Sequence, residues 1–226
     1  LVGVGTNLKF YIERGGQYYD ITPIRSTVSL TDPFTLVNGS TTVTVTDNAH
    51  GAIDGDFVTF SGATIGYVGG NVTAADFNQE FQLTYVDQNT YTITINSTPN
   101  AVDAANSPMG GTVSAAYQIN TGPGIAVPTT GWGASMWGSG TWGIGAVNYD
   151  PLRLWSQMNF GEDLIFGPRG GGIYYWDATG ETSTRGVNLN TLPGASDVPI
   201  VQNYIFISDF SRFVFAFGTN DYGSSI

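Results

Sequence analysis

The chain has 226 residues, enough for one or two hydrophobic cores, and its 7 basic against 18 acidic side chains leave a net charge of −11. That balance excludes a basic grip on nucleic acid or on an anionic membrane surface, and the absence of cysteine excludes disulfides, thiol nucleophiles and cysteine-held metals. Charged residues make up only 11% of the chain while Gly reaches 31 residues and aromatics 13%, which predicts aromatic strands joined by glycine turns, and no apolar run approaches the roughly 20 residues of a membrane helix.

The first predicted element is an aromatic hairpin within residues 1–31. Asn7-Leu8-Lys9-Phe10 leads into Arg14-Gly15-Gly16, and Gln17-Tyr18-Tyr19-Asp20-Ile21-Thr22 returns from that turn. From Asp32 to Ile119 the texture becomes rich in Thr and Val. Thr41 to Thr46 alternates so that Val43 and Val45 share a face, and Phe57-Val58-Thr59-Phe60 follows a turn of Asp, Asn and Gly. Phe81, Leu83 and Tyr85 alternate with polar residues, Asp87-Gln88-Asn89-Thr90 makes a hairpin loop, and Tyr91, Ile93 and Ile95 return. Thr112 to Ile119 closes the set, so residues 32–119 form an inserted domain, a small β-barrel or sandwich.

This unit holds several residues that chemistry could use. His50 is the single histidine, so a Ser-His-Asp relay or a histidine metal site would need it. It stands in the turn Asp47-Asn48-Ala49-His50-Gly51, where satisfying loop backbone is the simpler role. Asp54 and Asp56 flank Gly55 and would hold calcium only with loop carbonyls, and the twelve-residue calcium-loop pattern is missing. Asn38-Gly39-Ser40, Asn71-Val72-Thr73 and Asn96-Ser97-Thr98 fit the glycosylation acceptor pattern and read as loops.

Residues 120–148 are a Gly/Trp-rich connecting segment. After Gly122-Pro123-Gly124 come Trp132-Gly133, Trp137-Gly138 and Trp142-Gly143, a spacing of five that puts successive indoles on opposite sides of an extended chain. Indoles on such a segment pack against a sheet, dock a partner subunit or stack on sugars, so Trp132, Trp137 and Trp142 are the candidate subunit or glycan contacts.

Residues 149–226 return to aromatic strands and repeat the opening. Asp163-Leu164-Ile165-Phe166, then Arg169-Gly170-Gly171-Gly172 and Ile173 to Thr179, matches the first hairpin, and both are expected to turn at Arg-Gly-Gly. Phe215-Ala216-Phe217-Gly218-Thr219-Asn220 echoes Val2-Gly3-Val4-Gly5-Thr6-Asn7. Glu162 and Asp163 are adjacent acids, but strand neighbours point to opposite faces and so do not flank one glycosidic bond. Gly170 to Gly172 lacks the Lys-Ser/Thr and the helix start that a phosphate cradle needs. Repeated aromatic hairpins with almost no helix predict an all-β fold of β-propeller-like blades, a partial propeller here, with the small barrel inserted and the blades continuing beyond the chain end.

Gly5-Thr6-Asn7-Leu8-Lys9-Phe10-Tyr11 with Tyr18 to Arg25, the Trp-Gly segment, Leu152-Arg153-Leu154-Trp155-Ser156 with Asn159 to Leu164, and Ser211 to Asp221 come in an order that resembles bacteriophage tail proteins of the hub or nozzle type. The likeness covers nearly all of the chain outside 32–119. Within that insert, Val43 to Asp47, His50-Gly51, Asp54-Gly55-Asp56 and Val58 to Gly62 are similar to the small β-barrel found in phage tail proteins. The resemblance implies a β-propeller assembled as a homo-oligomeric ring, a hexamer, at the lower end of a short tail. It further implies contacts with other tail proteins, DNA passing through the lumen without specific binding, a place in the virion with no membrane, and no catalytic residue, cofactor or metal. A net charge of −11 suits such a lumen, because carboxylates repel phosphate and let DNA slide. Two rival readings remain: a carbohydrate-binding module or adhesin that uses Trp132, Trp137 and Trp142, and a propeller glycosidase with a carboxyl pair drawn from distant strands.

Overall fold

The structure, a computed structural model, describes residues 2–120, 153–208 and 210–221. The Gly/Trp-rich connection, with Trp132, Trp137 and Trp142, lies outside the described residues. The fold is all-β and its sheets are antiparallel. No helix among the described residues is long and apolar enough to cross a membrane. The chain divides into two units, Ile24–Asn120 and a second made of Leu1–Pro23 with Thr121–Ile226.

The second unit begins with strands β1 (Val2–Gly5), β2 (Phe10–Arg14) and β3 (Gln17–Asp20), which form a three-stranded sheet in that order. Arg14 pairs with Gln17, so Gly15 and Gly16 alone make the turn, with φ of 65° and 82°. A two-residue turn that matches strand twist needs positive φ at both positions, which only glycine adopts at little cost. Glu13 adds a clamp, its Oε1 accepting from the Gly16 N–H at 2.6 Å.

The Ile24–Asn120 unit holds β4 (Ile24–Thr31), β5 (Phe34–Thr35), β6 (Thr42–Thr46), β7 (Phe57–Ser61), β8 (Glu80–Gln82), β9 (Thr84–Tyr85), β10 (Thr90–Thr94), the short helix α1 (Ala101–Ala105) and β11 (Thr112–Gln118). They build two four-stranded sheets, ordered β5-β6-β10-β9 and β4-β11-β7-β8, around one shared core. The predicted alternation places Val43, Val45, Val58, Phe60, Tyr91, Ile93, Val113 and Ala115 in that core, and Phe34 stacks on Phe77 at 4.2 Å between ring centres. Asp103 on α1 is fully buried and accepts from the N–H groups of Asn100, Asn71 and Val72 and from the Tyr67 hydroxyl, so one carboxylate fixes two loops.

Two expectations change here. Phe81, Leu83 and Tyr85 do not share one strand: the chain leaves one sheet at Gln82 and joins the other at Thr84, with Leu83 buried at the crossing. The unit also starts before Asp32, because β4 pairs along its whole length with β11, some 80 residues away, from Thr31–Thr112 to Ile24–Gln118. Local sequence assigns Ile24 to Thr31 to the first hairpin; a long-range ladder decides otherwise.

The chain then returns to the second unit. Strands β12 (Trp155–Phe160), β13 (Asp163–Pro168), β14 (Tyr174–Trp176) and β15 (Val187–Asn188) form a four-stranded sheet in sequence order, and β16 (Tyr204–Ile207) pairs with β17 (Val214–Phe217). The three sheets of this unit stack face to face. Register puts Trp155, Gln157, Phe166 and Tyr174 on one face of the middle sheet, against the first sheet, where Phe10 stacks on Phe166 at 4.6 Å and meets Trp155 at 5.0 Å. The opposite face carries Met158, Ile165 and Tyr175, which close a core with Ile173, Ile205 and Ile207. Each of those four buried isoleucines contributes roughly 2 kcal/mol through removal from water.

The hairpin repeat is thus one of topology and not of side-chain direction. Phe10 and Phe166 align in the sequence, yet they face one another across two sheets. The two turns also differ, since β13 and β14 are joined by a wider loop in which Gly170 N–H donates to the Gln202 carbonyl and Gln202 N–H to the Gly171 carbonyl. The second echo pairs strands in different roles. β1 is an edge strand beside β12, whereas β17 follows β16 as β13 follows β12.

Candidate functional site

Strand β12 is the centre of the three-sheet stack, and its alternation explains how. Its odd residues reach the first sheet: Trp155 Nε1 donates to the Thr6 carbonyl at 2.7 Å and Gln157 Nε2 to the Gly3 carbonyl at 3.3 Å. Its even residues reach the last sheet. Ser156 Oγ donates to the Ile205 carbonyl at 3.1 Å and accepts from the Ile205 N–H at 2.9 Å, and Met158 sulfur accepts from the Ile207 N–H. Side chains therefore satisfy strand edges that would otherwise be bare.

Glycine leaves room where this contact is tightest. A Cβ on Gly3 would collide with the Gln157 amide, and one on Gly5 with the Trp155 indole. A charged staple reinforces the same joint. Asp20 binds Lys9 at 3.0 Å and Arg185 at 2.7 Å, Arg185 donates on to the Thr22 carbonyl, and the Thr22 hydroxyl accepts from the Phe10 N–H. Burial works against ionisation of Asp20, but hydrogen bonds from Thr22 with the charges of Arg185 and Lys9 outweigh it and hold the carboxyl below the usual range.

A shallow groove of about 330 Å³ opens between β1–β2 and β12–β13, with Gln157, Asn159, Glu162 and Asp163 on its rim. Glu162 and Asp163 both border it, which corrects the expectation that they point apart: Glu162 sits in the two-residue turn after Gly161, not on a strand. They still do not form a catalytic pair. Asp163 accepts from the Tyr175 hydroxyl at 2.6 Å and from the Ala178 N–H at 3.0 Å, and that bond together with burial pushes the Tyr175 hydroxyl up to about 12.

His50 is spent on backbone. Its Nδ1 accepts from the Ala52 N–H at 3.0 Å, which leaves Nε2 as the protonated nitrogen, donating to the Asp87 carbonyl at 2.9 Å. Asp54 accepts from the Tyr85 N–H and Asp56 from the Ile53 N–H, so both carboxylates of the Asp-Gly-Asp turn fasten loops. Among the described residues no three His, Asp or Glu side chains gather as metal ligands. Gly170 to Gly172 serve the loop clamped by Gln202.

The feature that sequence reading missed is the outer face of the last sheet. Ile205, Ile207, Val214 and Ala216 point inward, and their neighbours Tyr204, Phe206, Phe215 and Phe217 point out, paired across the strands and 54%, 43%, 46% and 53% exposed. The signal was present: Tyr204-Ile205-Phe206-Ile207 and Phe213 to Phe217 are apolar at every position, the mark of strands meant to be covered on both faces.

No family model matches the chain, and no curated protein does. Among solved structures it is similar to the Phage phi92 endosialidase, with 14% identity and a TM-score of 0.31 over 89% of this chain. The chain spans 28% of that structure's length. A likeness at that score carries no weight for fold or for activity.

Proposed function

We propose that this chain is a non-enzymatic structural component of a bacteriophage tail, of the hub or nozzle type, whose stacked sheets act as β-propeller blades in a ring around the DNA passage. The Ile24–Asn120 unit docks another tail component, and the acidic balance of the chain keeps the passage from holding DNA. The observation that carries this reading is where the tail-like sequence blocks fall. Thr6, Asp20, Thr22, Trp155 and Ser156 belong to those blocks, and they are among the residues that join one sheet to the next, Asp20 and Thr22 through Arg185. Stacked antiparallel sheets that cover one another face to face are what a propeller blade needs from its neighbours.

Peptide mass spectrometry and antibody labelling of purified phage particles test the reading. The chain is expected in the particles, with label at the lower end of the tail. Particles that contain their other structural proteins but not this one overturn it. Native mass spectrometry of the complete protein is expected to show a closed ring.

A further inference from the structure

The ladders of the Ile24–Asn120 unit define two ends. Ile24 pairs with Gln118 where the chain enters and leaves, and the same ladder finishes at Thr31 and Thr112, opposite both connections. The loops 36–41, 62–72 and 95–108 of that far end are tied together. Gly39 N–H donates to the Pro99 carbonyl, Leu36 N–H to the Ser107 hydroxyl, Asn100 Nδ2 to the Gly69 carbonyl and Asn71 Nδ2 to the Thr98 carbonyl. Buried Asp103 holds the Tyr67 hydroxyl and the Asn71 N–H from beneath, so the far end is pre-formed.

The two ends differ in charge. At the entry end stand Arg25, which donates to the His50 carbonyl, and the carboxylates of Asp54, Asp56 and Asp87. In the three far loops the single charged residue is Asp103, which is fully buried. Asp76 is buried behind Ser97, and Asp32, exposed at the corner where β4 ends, accepts from the Gly111 N–H. Apolar side chains stand where charges would be expected: Val68 is 92%, Val37 60% and Val102 38% exposed. In a chain of net charge −11, an exposed end without surface charge in its loops matches the centre of a protein interface, where burial would strand an unpaired charge.

We propose that this uncharged far end is the surface by which the unit docks, and that its occupant is a different protein offering Val68 an apolar recess free of charges. The inference deepens the reading of this unit as a docking module and rests on it. A second copy does not fit the part. Val68 projects, so two far ends set tip to tip leave one another uncovered, and the groove beside β12 and β13 is rimmed by Glu162 and Asp163. The entry end is unsuited as well, because its exposed Ile53, Tyr85 and Val86 stand among Asp54, Asp56 and Asp87.

Photo-crosslinking in phage particles is the test, with benzoylphenylalanine in place of Val37 or, as the control, of Tyr85, after peptide mass spectrometry has shown whether the chain is present. The probe at position 37 is expected to link the chain to another virion protein, and the probe at position 85 is not. Adding Val68→Asp is expected to lower the link from position 37 at least ~10-fold, because it strands a carboxylate in an apolar contact. Melting of the 226-residue chain with Val68→Asp is expected to be unchanged, since that side chain is exposed. The link is expected to hold from about 0.1 to 1 M salt, over which a charge-driven contact weakens. Particles that contain the chain overturn the inference, and leave the tail reading standing, if position 37 gives no link or one to a second copy. An equal link from position 85, a link that Val68→Asp leaves intact, or one that salt weakens does the same. Particles without the chain overturn the tail reading, and this docking surface with it.

Discussion

Gly3 and Gly5 look like flexible punctuation in the sequence, yet each marks a place where another sheet's side chain presses on the backbone. Gly5→Ala drives a methyl group into the Trp155 indole and is expected to cost about 1–3 kcal/mol, the usual penalty of overpacking, read as a lower denaturant midpoint for the three-sheet unit. The control is Gly180→Ala in the same unit, where a Cβ meets only ordinary contacts of 3.6 Å and beyond and the backbone is not left-handed. Asp20 is the second residue with a large local role. Its folded-state pKa is depressed, so its contribution is present above the ordinary carboxylate value and is lost as pH falls below that value toward the folded one. Stability of the unit, followed by tryptophan fluorescence, is therefore expected to fall in that acid window, and Asp20→Asn is expected to flatten the fall.

At the level of elements, β4 decides the boundary of the inserted unit. It supplies one edge of the sheet β4-β11-β7-β8 and pairs over seven residue positions with β11. A fragment of residues 24–120 is expected to melt cooperatively on its own, because its core is shared between two complete sheets. A fragment of residues 32–119 lacks that strand, exposes β11 along one side, and is expected to unfold at lower temperature or to aggregate through the bared edge. Circular dichroism melts of the two fragments decide it, and equal stability would show that β4 is dispensable. The strand alternations of Thr41–Thr46, Phe57–Phe60, Tyr91–Ile95 and Thr112–Ile119 were readable because period two survives wherever one face is buried. The break between β8 and β9 was not readable, since Phe81, Leu83 and Tyr85 keep the same alternation across the change of sheet.

For the whole molecule, charge sets what it cannot hold. With 18 acidic side chains against 7 basic ones, the protein is expected to leave duplex DNA unretarded in a mobility-shift assay even at low salt, where electrostatic binding is strongest. Retardation that weakens with added salt would contradict a passage that repels phosphate. The propeller and tail reading comes only from the order of sequence blocks. The stack adds a structural role for those blocks: Trp155 and Ser156 bond the sheets on either side, and Asp20 holds Arg185.

The sequence alone determined the all-β class, the glycine hairpin at Gly15-Gly16, the Thr/Val-rich unit and the lack of any thiol chemistry, since each follows from composition or from a period of two residues. Tertiary structure alone decided that β4 belongs to the insert, that Asp163 is occupied by Tyr175 and the Ala178 N–H, and that Tyr204, Phe206, Phe215 and Phe217 form one open face. Those facts depend on partners tens of residues away, and a local pattern records which side of a strand is apolar without recording what, if anything, will cover it.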